Sequence, residues 1–171
     1  MHDAAMAWIA EHATDQPVDV LDIGGRDVTG PWGGSPRHLF PNAAYRVLDI
    51  AEGPDVDIVA DAATWQPNGR RYDIVISAEC FEHTAAWPAI VRTAYAACKP
   101  GGRFIATMAG PGRRPHGALG EHGLEVGEHY ANIRPERLRA VLGQAGFVDV
   151  TVDHQPDPAD VRAAATKPGE A

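Results

Sequence analysis

Two carboxylates stand where apolar runs end. Val18, Val20 and Leu21 lead through Asp22 and Ile23 into Gly24 and Gly25, and the next apolar run, YRVLDI, closes on Asp49 and Ile50. A buried parallel strand that stops in a glycine turn lets backbone approach a ligand closely. An ionised carboxylate after the following strand can accept two hydroxyls side by side. Ligands of open α/β sheets bind outside the carboxyl ends of the strands, so the pair outlines a pocket for a nucleoside-bearing ligand. A dinucleotide fingerprint starting at Gly24 needs glycines at 26 and 29, where Arg26 and Thr29 stand, and a Walker Gly-Lys-Ser or Gly-Lys-Thr loop is absent. The pocket is therefore expected to take a nucleoside without a pyrophosphate.

The elements that must position these groups follow from periodicity and punctuation. An amphipathic helix is expected over 2–12 through Ala5, Met6 and Ile9, and the central strand over 18–23. Residues 26–36, with Gly30, Pro31, Gly33, Gly34 and Pro36, read as loop with at most a late helix. Further strands are expected over 45–50, 57–60 and 72–77, then a helix over 85–98 stopped by Lys99-Pro100-Gly101-Gly102, and a strand over 103–108. Residues 109–127 are rich in Gly, Pro, Arg and His without a sustained period, which marks a long functional loop. Pro135 opens a helix over 135–145 that Gly146 closes, and strands over 147–152 and 160–165 end the chain. Alternating elements of this kind imply a three-layer α/β domain. One domain over 1–171 is expected, with the amino-terminal helix within 1–16, a core over 18–167 and a tail over 168–171.

Composition narrows the partners. Fifteen basic against 23 acidic residues leave a formal net charge of −8, which repels a polyanion, so nucleic acid is a disfavoured partner. Two cysteines, Cys80 and Cys98, and the lack of a basic flank before an apolar core argue for a reducing cytoplasm and against a disulfide framework. No apolar run reaches the roughly 20 residues of a membrane span.

In order and spacing, VLDIGG, YRVLDI, VADAATW, YDIVISAECFEHT, CKPGGRFIATMAGPG and GEHYANIRPERLRAVLGQAGF resemble the class I S-adenosylmethionine-dependent methyltransferases, in particular their small generic members. The resemblance covers about 18–167 and implies a Rossmann-like methyltransferase fold with a seven-stranded, mostly parallel sheet and a terminal antiparallel strand. It implies S-adenosyl-L-methionine as cofactor, with Asp22, Gly24 and Gly25 at its methionine end and Asp49 and Ile50 at its ribose. Asp61 and the Ala62 N–H are implied at the adenine, and Ser77 and Glu79 where the methionine meets the acceptor. Arg26 stands where the family usually has its second glycine.

Methyl transfer from a sulfonium is an in-line displacement driven mainly by proximity and orientation, so a base is optional. For a hydroxyl acceptor, histidine is the natural base at neutral pH. His83, His116, His122 and His129 are candidates, with His116 and His129 assigned the role and His83 read as positioning a loop. Intervals of six and seven between His116, His122 and His129, with no cysteine nearby, do not match zinc-ligand spacing, so no metal is expected. Arg113 and Arg114 are candidates to orient an acidic acceptor, and Trp65 to shield the adenine. The expected activity is methylation of a small molecule or sugar. A binding domain without transferase activity is the alternative, and nucleic-acid methylation is disfavoured because Ser77-Ala78-Glu79-Cys80 replaces the Pro-Pro-aromatic segment of base-directed enzymes.

Overall fold

A computed structural model describes residues 1–28, 34–119 and 123–170. Apolar runs bounded by Gly, Pro, Asn and Asp form seven strands: β1 Asp19–Ile23, β2 Ala44–Asp49, β3 Ile58–Val59, β4 Tyr72–Ala78, β5 Cys98–Ala109, β6 Val148–Gln155 and β7 Asp160–Thr166. Among the described residues three α-helices accompany them: α1 Asp3–Ala10, α2 Trp87–Ala97 and α3 Pro135–Ala145. The strands make one sheet in the order β3-β2-β1-β4-β5-β7-β6. All pairings from β3 to β5 are parallel, while β7, the last strand of the chain, lies antiparallel between β5 and β6. The expected seven-stranded, mostly parallel sheet with a terminal antiparallel strand is what forms.

The two faces are covered unequally. On one, α2 and α3 bury Trp87, Ile90, Val91, Leu138 and Leu142 against Leu21, Leu48, Val75 and Phe104. On the other, Ile9 of α1 and Phe40 pack on Val20, Val47, Ile74, Ile76 and Ile105. The expected alternation of strand and helix is only partly realised. Among the described residues β1 to β2 is bridged by a 3-10 turn, Pro36–Leu39, and neither β2 to β3 nor β3 to β4 carries a helix. Gly and Pro in 26–36, and only 12 residues over 60–71 between β3 and β4, leave no amphipathic run long enough for one.

The 99–102 segment, expected to stop the helix and precede the strand, is part of β5, which follows α2 directly. Gly101, at φ 75°, donates its N–H to the Lys167 carbonyl at 2.9 Å, and Lys167 donates back to Gly102 at 2.9 Å, so the glycines form an irregularity in the strand. The register between β4 and β5 shifts there, between Tyr72 and Ile74. At this end of the sheet the Lys99 ammonium donates to Asp19 at 3.0 Å and Asp73 at 2.8 Å, and Asp73 also accepts the Asp19 N–H at 2.8 Å. Charge therefore ties the amino ends of β1, β4 and β5 together and leaves the opposite ends open for a ligand.

Helix α3 begins at Pro135, whose missing N–H costs nothing in a first turn. It ends at Gly146, φ 105°, which donates to the Gly143 carbonyl at 3.0 Å while Phe147 donates to Leu142 at 3.2 Å. A Cβ at Gly146 would lie 3.0 Å from the Tyr95 ring. Left-handed strain and this contact act together, so Gly146→Ala is expected to cost about 1–3 kcal/mol in urea unfolding. A change below about 0.5 kcal/mol would show that the cap and the ring relax freely.

Candidate active site

The strand order reverses between β1 and β4, and ligands of open sheets bind in the crevice at such a switch point. A cavity of about 340 Å³ opens there. Its walls include Asp22, Gly24, Gly25 and Arg26 after β1, Asp49 and Ile50 after β2, Asp61 and Ala62 after β3, and Glu79, Cys80 and His83 after β4. Four strand ends thus converge on one space, bringing together eight of the nine residues expected to bind cofactor.

The glycine pair is dictated by what surrounds it. Gly24 has φ 74°, donates its N–H to the Leu48 carbonyl at 2.7 Å, and would push a Cβ to within 2.8 Å of the Cys80 Cβ. At Gly25 a Cβ would collide with the Asp22 carboxyl group. Asp22 is fully buried, and its Oδ2 accepts the Tyr45 hydroxyl at 2.7 Å while its Oδ1 is buried without a partner. Burial pushes its carboxyl up to about 7, against the hydrogen bond from Tyr45, which pulls it down.

Asp49 joins two loops. Its Oδ1 accepts the Ala51 N–H at 2.9 Å and its Oδ2 the Arg26 N–H at 3.2 Å. A carboxylate offers about four acceptor positions, so two remain for hydroxyls. Arg26 is accommodated in place of a glycine because its stem lies along Gly53, where a Cβ would come within 3.1 Å of it, and its Nε sits 3.7 Å from Asp49 Oδ1. Ile50 leaves 74% of its surface exposed at the cavity wall, an apolar face available to a flat ring. The Asp61 carboxylate accepts the Ala63 N–H at 2.8 Å, and its carbonyl accepts Thr64 and Trp65 N–H groups, so it also shapes a turn.

After β4 the backbone is strained: Glu79 takes φ 52°, a left-handed conformation uncommon for a side-chain-bearing residue. Its Oε1 is buried and unpartnered, while Oε2 lies 3.7 Å from both Arg113 and His2. Ser77 departs from expectation. It is buried, its hydroxyl donates to the Ile23 carbonyl at 3.0 Å, and it lies outside the cavity wall, so it ties β4 to β1.

The histidines are also redistributed. His129 is exposed and lines a separate, smaller cavity of about 200 Å³ with Trp87, Asn132 and Arg137, which removes it from the crevice at the switch point. His83 lines the main cavity, and burial, with His116 nearby, pushes its imidazole down to about 4, leaving it neutral at pH 7. His116 packs edge-on against it, ring centroids 5.1 Å apart, and Tyr130 contacts both rings. His122 lies outside the described residues, as does Thr29. Arg113 is committed to Asp160 at 2.7 Å and to the Pro158 carbonyl at 2.9 Å, leaving Arg114 exposed as the other arginine of the pair. Trp65 packs against the main core rather than lining the cavity.

Sequence reasoning passed over Glu82. It is fully buried, and its Oε1 accepts the Ala109 N–H at 3.1 Å while its carbonyl accepts Ala131 N–H at 2.9 Å, so it pins both ends of the loop after β5. Burial and the neighbouring Glu79 charge hold its carboxyl above the usual range. A charged residue between Phe81 and His83 on a 3-10 turn was the available signal, since such residues are seldom fully buried without a task.

A family model described as methyltransferase domain matches residues 1–152. The ubiquinone biosynthesis O-methyltransferase of Methylobacterium nodulans is 44% identical over 54 residues, 32% of this chain and 19% of that protein. Among solved structures, phosphoethanolamine N-methyltransferase 2 of Haemonchus contortus, in complex with phosphomonomethylethanolamine and S-adenosylhomocysteine, superposes with a TM-score of 0.71 at 16% identity, covering 96% of this chain and 52% of that one. The 1,6-didemethyltoxoflavin-N1-methyltransferase of Burkholderia thailandensis, with its acceptor and S-adenosylhomocysteine bound, gives 0.66 at 20% identity over 96% of this chain and 77% of that one. The chain thus spans about a fifth of the curated relative and about half of the nematode enzyme.

Asp22 titration has a readable consequence. Its folded value, about 7, lies above the unfolded 3.8, so the folded state binds the extra proton and this contribution is complete below pH 4 and lost as pH rises through 7. Asp22→Asn removes the term. The stability of the variant relative to wild type should therefore improve by roughly 1 kcal/mol between pH 6 and pH 8. A pH-independent difference would mean that Asp22 is already ionised at pH 6.

Proposed function

The chain belongs to the methyltransferase domain family, and from that premise we propose that it transfers the methyl group of S-adenosyl-L-methionine to a small-molecule or sugar acceptor. The observation that carries the reading is the convergence of Asp22, Asp49 and Asp61 on one cavity at the switch point, each with an unused acceptor position. The volume, about 340 Å³, lies within the range of small-molecule sites.

The residues fit the cofactor group by group. The orphaned Asp22 Oδ1 suits the methionine ammonium, which would satisfy a buried oxygen that otherwise costs about 1–3 kcal/mol. The two open positions on Asp49 suit the ribose hydroxyls, with Ile50 beneath the adenine and Asp61 and the Ala62 N–H at its edge. Carboxylates of Asp22, Asp49, Asp61 and Glu79 against Arg26 make the cavity wall acidic, which favours a ligand carrying a sulfonium and an ammonium. When bound, the cofactor supplies a methyl group on a positively charged sulfur, open to in-line displacement.

The chain's own contribution is position. Strained Glu79 and the turn through His83 form the wall facing the methionine end, where an acceptor would be held against the methyl group, and such orientation is worth up to about 7–11 kcal/mol. His83, held neutral by burial, lines the cavity with the His116 ring packed against it, so imidazole nitrogens stand beside the place a hydroxyl acceptor would take. Small-molecule acceptors are supported by the two methyltransferases of similar fold, whose structures hold phosphomonomethylethanolamine and 1,6-didemethyltoxoflavin. Among the described residues no helix is long and apolar enough to cross a membrane.

S-adenosylmethionine at about a hundred times its dissociation constant should stabilise the fold by roughly 2.7 kcal/mol, several degrees in Tm. Asp49→Ala should weaken binding more than Asp61→Ala, because it removes two charge-assisted acceptors rather than one. Absence of any shift at millimolar ligand, checked by calorimetric titration, would reject the reading. Wild-type affinity in Asp49→Ala would remove the ribose assignment.

A further inference from the structure

Beside the cavity, around His83, lie polar atoms that methyl transfer by proximity leaves unused. Glu82 is fully buried, and only one of its carboxylate oxygens is satisfied, by the Ala109 N–H, whereas Oε2 is buried with no hydrogen-bond partner. Nδ1 of His83, on the next residue, is likewise buried and unpartnered. The loop after β5 then brings in His116, whose Nδ1 lies 3.2 Å from the Arg114 carbonyl. That contact fixes the proton on Nδ1 and leaves Nε2 as the lone-pair nitrogen, the arrangement usual for a metal-ligating histidine. One ligand atom from each of the three residues lies within 4.8 Å of the others.

Two imidazoles and one carboxylate are a donor set of catalytic zinc, which uses three protein ligands and keeps a further position open. We propose that Glu82, His83 and His116 hold a divalent transition-metal ion of the zinc class, with its open position toward the cavity that His83 lines. Bond lengths of roughly 2.0–2.2 Å to such an ion would draw the three donors closer together than the 4.8 Å within which they now lie. What the open position does rests on the methyl-transfer reading: a hydroxyl oxygen of the acceptor bound there would lose its proton near neutral pH, and the proton would pass to solvent. Sequence intervals among His116, His122 and His129 argued against a metal because they omitted Glu82 and His83, which the fold brings to His116 from a distant turn.

A second trio, His2, Glu79 and Asp160, meets the same spacing. Its charge is already matched, since Asp160 takes Arg113 at 2.7 Å and has Arg162 at 3.9 Å, and Arg113 also approaches Glu79 at 3.7 Å. That trio is an ion-pair network, and it provides the control.

The test uses the full chain, stripped with a chelator and dialysed against Zn²⁺ or Co²⁺. One ion per chain is expected, with a visible Co²⁺ absorption band of low coordination number. His116→Ala, on a partly exposed loop residue, should weaken uptake at least tenfold and abolish the band, as should His83→Ala, while His2→Ala should leave both unchanged. Glu82→Gln is the less secure variant because it also alters the bond to Ala109. Sub-stoichiometric uptake by wild type, uptake unaltered in His116→Ala and His83→Ala, or loss in His2→Ala alone would each overturn the site. S-adenosylmethionine binding, measured on the same samples by thermal shift, separates the two readings. Its failure with metal uptake intact would overturn methyl transfer, and metal failure with cofactor binding intact would overturn only the metal site.

Discussion

The end of β1 is crowded to the point that only glycine fits, and the site depends on that crowding. The Asp22 carboxyl group occupies the place of a side chain at Gly25, and Cys80 occupies the place of one at Gly24. Backbone of the first loop is thereby pressed to the floor of the cavity between β1 and β4. The arrangement carries an energetic cost, because it buries a carboxyl group with one satisfied oxygen. The raised Asp22 pKa expresses that cost, which the cationic ligand group proposed for the site would offset. Structure, electrostatics and the proposed ligand meet at this one residue.

Asp49 shows how the same atoms serve fold and binding. By accepting N–H groups from both Arg26 and Ala51 it holds the loops after β1 and β2 at a fixed separation, and the positions left over face the cavity. Arg26 compensates for its size by lying along Gly53 and near the Asp49 carboxylate, so the missing glycine is replaced by an ion pair rather than by a gap. Behind the turn that carries His83, Glu82 does comparable work, pinning the loop after β5 at Ala109 and Ala131 and so setting where His116 can reach.

The parallel sheet was legible because its strands are short apolar runs bounded by Gly, Pro, Asn and Asp, and α3 because Pro135 and Gly146 punctuate both ends. The cavity wall was legible for the same reason: Asp22, Asp49 and Asp61 stand at run ends, and run ends in a parallel sheet share one edge. Residues whose roles depend on long-range neighbours were not legible. Ser77 follows the pattern of a site residue yet spends its hydroxyl on Ile23, and His129 faces the smaller cavity although its neighbour Tyr130 reaches the His83 and His116 rings. Residues 99–102 were expected to stop the helix, but it already ends at Ala97, and pairing of Gly101 and Gly102 with Lys167, just past β7, keeps them in the strand. Local pattern carries no information about which distant segment will supply a partner.

Hydrogen–deuterium exchange of the chain with and without S-adenosylmethionine tests the central claim most directly, since it reports where the ligand sits without needing the acceptor. Slowed exchange is predicted in residues 23–28, 49–51, 61–63 and 78–80, the four strand-end loops around the cavity, with β6 and β7 unchanged. Protection confined to other segments, or no protection at a saturating ligand concentration, would contradict the account.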